Sequence, residues 1–470
     1  PQNIEMLFTF GLLLKDETLA QGYHWLLGVA ASAAVAALAR RIDPKASVLL
    51  AAAAFATIPT VVLIGGWAYV DLGVVLFVTL SVLCFLRWTR SEACPWLVLS
   101  AVFAGAAAGS KYTAGFQGLL VAGGAMLLGT LRRWPARKAV SLSALAAGVV
   151  AAVACPWWIR NALATGNPLY PFCYGLLGGE GWDAERARVL SLALGQWGGE
   201  RGLVDTLLLP LRLTFSGQFF SEANFDGVIG CAFLLAAPLL AASLRLSREH
   251  RVVACFALAH AAFWVLTTRQ VRFLLPALAP AAALLGASVP VLLPTGWPRA
   301  CATAVLHASL ALNVLIASLH FAHHNPLRVV LGLETRSAYL QREIPGCDYA
   351  VFEHIERSLP PDSFILLGSL GNPGFLVKRR YSSDAFFENR TLAAILAAAA
   401  TPDDAHEALR ARGFTHLLFR WENVFDPEEK RSEIPLEDQK KLAAAMNRHA
   451  KLVCQAGGTM LYEIEKTERG

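Results

Sequence analysis

Residues 132–160 read RRWPARKAVSLSALAAGVVAAVACPWWIR. Arg132, Arg133, Arg137 and Lys138 lead into the uncharged run 139–157, and Trp157, Trp158 and Arg160 close it. Those 19 residues would make a helix of about 28 Å at a rise of about 1.5 Å each. A bilayer's hydrocarbon core is about 30 Å thick. An open strand there would leave backbone groups unpaired in lipid, so the run reads as a spanning helix. Cations flank one end and tryptophans the other, which orients it with the cationic end toward the cytoplasm.

The pattern repeats along the chain. Apolar stretches recur at 18–39, 47–64, 70–86, 94–109, 114–130, 139–157, 226–244, 251–267, 273–293 and 300–320. Of residues 1–324, only 36 are charged, whereas 40 of residues 325–470 are. The first part is therefore expected to be a helical polytopic membrane body of about ten spans. The second is expected to be a water-soluble domain. Soluble-enzyme and nucleic-acid-binding readings of the whole chain are excluded, because its excess positive charge lies in short loops between apolar spans.

Loop charges set the topology. One set of connections holds 13 Lys and Arg against three acids, Asp43, Glu92 and Glu249. The opposite set holds nine Lys and Arg against 11 acids. The first set is expected on the cytoplasmic side of the cell inner membrane. Residues 1–17, the 158–225 loop and the 325–470 domain then lie outside. Ten spans that begin outside imply a further span upstream of Pro1, so the chain reads as N-terminally truncated. Residues 1–14 and 202–215 read as helices lying at the interface. Trp157, Trp158, Trp182 and Trp197 would form an interfacial belt.

In the 325–470 domain, helices are expected at 337–342 and 349–359, and strands at 364–367, 415–419 and 460–464. This is a small α/β domain, without a Gly-rich phosphate loop or a cluster of metal ligands. Of nine cysteines, Cys173, Cys347 and Cys454 lie clearly outside the spans, so one disulfide is open among them. Gly105-Ala-Ala-Ala-Gly109 fits a small-residue packing face.

Four sets of charges stand at span ends on the expected outer face: Asp71, Lys111, Arg160, and Arg269 with Arg272. Each has an ordinary explanation. Asp71 would complement a helix dipole, Lys111 would snorkel, and the arginines would anchor at the interface. Each also has a functional one. Guanidinium and ammonium groups bind phosphate oxygens, and a lipid-linked phosphate is the natural anion at that depth. A carboxylate there could deprotonate an incoming hydroxyl or ligate a metal. Asp71, Lys111 and Arg272 are expected to converge on one cavity. The combination describes sugar transfer from a polyprenyl phosphate.

The segments PQNIEMLF (1–8), AYVDLGVVLF (68–77), AGAAAGSKYT (104–113), PWWIRNALATGNPLYPF (156–172) and TTRQVRFLLPALAP (267–280) resemble the GT-C polytopic membrane glycosyltransferases. This is the group of the protein mannosyltransferases and the lipid A aminoarabinose transferase, and the likeness is greatest to a bacterial family-39-like branch. The resemblance implies a multi-span body, catalysis outside, a polyprenyl-phosphate-linked sugar as donor and an acceptor that it does not identify. In such enzymes the main catalytic acid lies in the first outer loop. Here that loop would precede Pro1, and the chain as it stands is expected to be inactive or nearly so. Asp71 resembles the acid of the second outer loop, and Lys111, Arg269 and Arg272 resemble the phosphate-side cations. Arg160 belongs to the most specific segment. A divalent cation serves some branches of the group and not others.

Two other classes compete. A transporter or flippase for a lipid-linked or anionic substrate often shows internal repeats and broken mid-depth helices. No repeat joins the two halves, and the odd charges lie at the edge. A structural subunit would need no cavity around Lys111 and Arg272.

Overall fold

In hydrocarbon each backbone N–H and C=O must be paired within its own segment. The apolar runs accordingly fold as helices. A computed structural model describes residues 1–343, 348–370, 373–384, 390–426 and 434–465. It divides into two units, Pro1–His320 and Phe321–Gly470.

The first unit runs α1 (Asn3–Leu14), α2 (Glu17–Ile42), α3 (Val48–Ala56), α4 (Pro59–Gly65), α5 (Asp71–Ser91), α6 (Cys94–Ala108), α7 (Gly115–Leu131) and α8 (Ala136–Thr165). Four short helices follow, α9 (Tyr174–Leu177), α10 (Ala184–Gln196), α11 (Leu203–Leu207) and α12 (Leu209–Phe215). The unit then continues through α13 (Ala232–Ser243), α14 (Arg248–Leu266) and α15 (Leu275–Leu292) into α16 (Trp297–His324).

Among the described residues, seven helices are long and apolar enough to cross a membrane, or eight if α3 and α4 count as one bent span. The sequence led us to expect about ten. The remaining two segments are α6 and α13, with 15 and 12 residues, or about 22 and 18 Å of helix. The 47–64 segment is broken by 67° between α3 and α4. Pro59 opens α4; it has no N–H to give to a continuing helix and disfavours helical geometry at Ile58.

Helix α8 also runs further than its sequence suggests. Asn161 to Thr165 continue it through Pro156, and the chain turns only at Gly166, whose φ of 77° is left-handed. Glycine adopts that conformation without the steric cost of a Cβ. Trp182, expected in a belt, is instead buried, edge-on to Tyr170 at 5.6 Å.

Burial separates centre from rim. In α15 and α5, 78% and 72% of the apolar window is buried, against 22% in α8. Small residues bring the rim in close. A Cβ on Gly105 would stand 2.7 Å from Val153 Cβ and 2.9 Å from the Val150 carbonyl oxygen of α8.

Among the described residues the second unit is a mixed five-stranded sheet with helices on both faces. Its strands are β1 (Phe364–Gly368), β2 (Arg380–Ser383), β3 (His416–Arg420), β4 (Ala450–Ala456) and β5 (Thr459–Ile464), in the order β2-β1-β3-β5-β4. The two pairs made by β1 are parallel, and those made by β5 are antiparallel. Side chains alternate between faces. Leu366, Leu417 and Phe419 meet helices Thr391–Ala398, Pro402–Ala411 and Leu436–His449, while Ile365, Leu367 and Leu418 meet Tyr349–Ser358. Cys173 and Cys454 are free thiols, and Cys347 lies outside the described residues.

Gly105→Val should cost about 1–3 kcal/mol through overpacking and lower the melting temperature of the detergent-purified protein. A Cβ on Gly123 would meet nothing within 4 Å. Gly123→Ala should therefore hold or raise that temperature, since alanine is the better helix former.

Candidate active site

Three span-end charges meet at one place. Lys111 Nζ lies 2.7 Å from Asp71 Oδ1, and an Arg272 Nη1 lies 3.9 Å from Asp71 Oδ2. Asp71 is the first residue of α5, Lys111 stands in the turn between α6 and α7, and Arg272 in the 3-10 turn before α15. All three line a small hollow together with Thr113, His260, Trp264, Thr267, Thr268 and Phe273. Phe273 separates the cations: Lys111 Nζ is 3.6 Å from its ring centre and the Arg272 guanidinium 5.2 Å. Arg272 also faces Tyr69 at 4.8 Å, and its buried Nε has no hydrogen-bond partner.

The helix start beneath this cluster is fixed by a buried imidazole. His24 Nδ1 donates to the Ile64 carbonyl at 2.9 Å, and Nε2 accepts the Leu72 N–H at 3.1 Å. That N–H is one of the groups a helix leaves unpaired in its first turn. The pairing sets the neutral tautomer and locks the first turn of α5, which carries Asp71.

Two of the expected residues lie elsewhere. Arg269 donates to the Glu200 carbonyl at 3.0 Å, the Thr206 hydroxyl at 2.9 Å and the Val265 carbonyl at 3.3 Å. It ties down the connection before α11 and does not line the hollow. Arg160 donates to Gln2 Oε1 at 2.9 Å. It belongs to a brace around the start of α1. Trp157 Nε1 donates to Asn3 Oδ1 at 2.7 Å, Asn3 Nδ2 to the Ala106 carbonyl at 3.1 Å, and Asn3 N to the Gly109 carbonyl at 3.0 Å. Asn161 Nδ2 donates to the Tyr112 hydroxyl, which donates to the Tyr170 carbonyl at 2.8 Å. The 156–172 segment thus positions Lys111 through its neighbour Tyr112, and α1 through Asn3.

Helix α1 brings a residue that the sequence did not single out. Glu5 lies within electrostatic reach of both Lys111 and Asp71, and its buried Oε2 has no partner. Burial pushes its carboxyl above the usual range, against the pull of nearby positive charge. The only sequence signal was an acid inside a short apolar run.

A divalent cation does not suit this donor set. Such ions take several oxygens, and among the described residues the one carboxylate lining the hollow, Asp71, is already shared by two cations. Among the described residues, no group of three or more His, Cys, Asp or Glu could hold a metal.

Below the hollow a polar relay enters the body. His260 Nε2 pairs with Gln117 Oε1 at 2.9 Å, Gln117 Nε2 donates to Ser81 Oγ at 3.0 Å, and Ser81 and Ser100 join α5 to α6. Phe116 of α7 stacks on Phe263 of α14 at 4.4 Å with the rings 9° apart.

Asp71→Ala would leave Lys111 without its counter-charge and should cost about 3–5 kcal/mol, the usual price of breaking a buried pair. Asp71→Ala with Lys111→Met should recover most of it, as read by the melting temperatures of both variants.

Residues 7–159 match the family model described as dolichyl-phosphate-mannose-protein mannosyltransferase. The crystal structure of ArnT from Cupriavidus metallidurans bound to undecaprenyl phosphate is similar over 98% of this chain and 87% of that one, with a TM-score of 0.61 at 15% identity. Its apo state gives 0.61 at 14% identity over the same shares. The apo oligosaccharyltransferase of Archaeoglobus fulgidus gives 0.52 at 14% identity, over 99% of this chain and 66% of that one. No curated protein matches by sequence. The chain resembles the GT-C polytopic membrane glycosyltransferases, and its fold is that of ArnT.

Proposed function

We propose that the protein is a membrane glycosyltransferase that takes a sugar from a polyprenyl-phosphate-linked donor. The hollow at Asp71 would face the outer side of the cytoplasmic membrane, with residues 325–470 outside. The observation that carries the reading is the charge balance at the hollow. Lys111 and Arg272 share a single carboxylate, Asp71. The hollow is then left about one positive charge in excess, which suits an anionic headgroup. The undecaprenyl phosphate bound to ArnT and the mannosyltransferase model over residues 7–159 support a lipid-phosphate carrier.

In this reading Lys111 and Arg272 hold the donor phosphate and stabilise the negative charge that grows on it as the sugar leaves. Asp71 keeps both cations in place; paired twice over, it is a weak base. Glu5 has a free oxygen, and burial raises its carboxyl pKa, which makes the ionised form a better proton acceptor than an ordinary carboxylate. It takes the acceptor hydroxyl proton while the acceptor oxygen bonds to the sugar carbon. The sugar–phosphate oxygen bond breaks and polyprenyl phosphate departs. Tyr69 and Phe273 flank the cations.

The test is transfer of radiolabelled sugar from polyprenyl phosphate by the protein in vesicles. Arg272→Ala and Lys111→Met should each lower donor use (kcat/KM) by about tenfold or more, the order of a lost charged hydrogen bond. Unchanged turnover would remove that residue from the site. Movement of the lipid across the vesicle without transfer would favour a flippase.

Glu5→Gln should lower kcat by about a hundredfold or more. In the parent protein the rate should fall as pH drops through the raised Glu5 pKa, because the base is then protonated. The variant should lose that limb of the pH profile; a profile unchanged in shape would exclude Glu5 as the base.

A further inference from the structure

A second cavity lies at the other, arginine-rich end of the first unit. It is an open cleft of about 1240 Å³ between α7 and α14, floored by Phe85 and Thr89 of α5. Its walls are almost wholly apolar, with Leu119, Leu127 and Leu131 on one side and Val252 and Phe256 on the other. Gly123 leaves the α7 wall open, since a Cβ there would meet nothing within 4 Å. Phe116 follows Thr113 and Ala114 of the hollow and precedes Leu119 of the cleft, and it stacks on Phe263, which lines the hollow.

The polar groups of the cleft gather at one mouth, where Arg248 and Arg251 line it. Among the described residues neither is in an ion pair. Arg251 Nη1 donates only to the Leu246 carbonyl, at 3.2 Å. Arg248 Nη2 is buried without a hydrogen-bond partner. The charged groups facing Arg248 are Arg132, Arg251, Glu249 and Glu92. Both acids are already engaged: Glu92 by Arg132 and Lys138, Glu249 by Arg90. The mouth therefore has surplus positive charge and an unused donor beside a slot of hydrocarbon character.

The geometry points to a binding site for an anionic phospholipid, with one acyl chain lying in the cleft and the phosphate on Arg248 and Arg251. Charge complementarity selects this occupant. Any phospholipid phosphate can accept from the unused donor, but a zwitterionic headgroup brings its own cation to a mouth already in positive excess, whereas basic pockets between spanning helices bind acidic headgroups. The site is separate from the hollow at Asp71 and does not depend on the reaction proposed there.

The experiment uses the full chain, purified in detergent and incubated separately with phosphatidylglycerol, phosphatidylcholine, undecaprenyl phosphate and inorganic phosphate. Retained lipid is counted by native mass spectrometry, and the melting temperature is recorded. Phosphatidylglycerol should be retained at least tenfold better than phosphatidylcholine and should raise the melting temperature. Arg248→Gln with Arg251→Gln should remove that preference. Gly123→Leu, which fills the slot at a position with room for a side chain, should lower phosphatidylglycerol retention with both arginines intact. It decides the matter should the double variant fail to fold. Equal retention of the two phospholipids would overturn the proposal, as would retention unaffected by either change. Stabilisation by inorganic phosphate alone would reduce the mouth to an anion patch and also overturn it. So would Gly123-dependent retention of undecaprenyl phosphate in place of phosphatidylglycerol, which would give the cleft to an isoprenoid chain.

Discussion

A carboxylate buried among apolar helices keeps its charge only if cations stand beside it. Asp71 is such a group, 4% exposed at the start of α5. Lys111 and Arg272 reach it from two other chain turns. That cluster fixes three places in space: the first turn of α5, the α6–α7 turn and the turn leading into α15. Two of these feed the most buried helices of the body, α5 and α15. The arrangement at the hollow and the packing of the core are therefore two aspects of one constraint.

Around this centre, much of the polar chemistry positions other groups. His24 locks the turn that carries Asp71. Tyr112, held by Asn161 and the Tyr170 carbonyl, steadies the residue next to Lys111. Asn3 bridges Trp157, Ala106 and Gly109 and so holds the helix that brings Glu5. None of these donors or acceptors could be left unpaired at such depth without cost.

The spanning runs and the charges at their ends were legible in the sequence, because hydrophobic length and loop charge report directly on a bilayer. Asp71, Lys111 and Arg272 stood out for that reason. The 67° break at Pro59 and the shortness of α6 and α13 were not legible, since uncharged length does not say where a helix begins or stops. Asn161 to Thr165 lie beyond the expected 139–157 run, yet Ala162, Leu163 and Ala164 continue the helix until Gly166 ends it. Arg269 and Arg272 could not be told apart by spacing. The partners that turn Arg269 away are the Glu200 carbonyl and Thr206, nearly 70 residues upstream. Glu5 was masked by its apolar neighbours, and only the docking of α1 reveals it.

The paired rings of Phe116 and Phe263 give the body an internal clasp. Flat, closely stacked and carried on two different helices, they hold α7 against α14 beside His260, which lines the hollow. Sliding one helix along the other would have to part the rings, so the wall of the hollow and the wall of the cleft shift together.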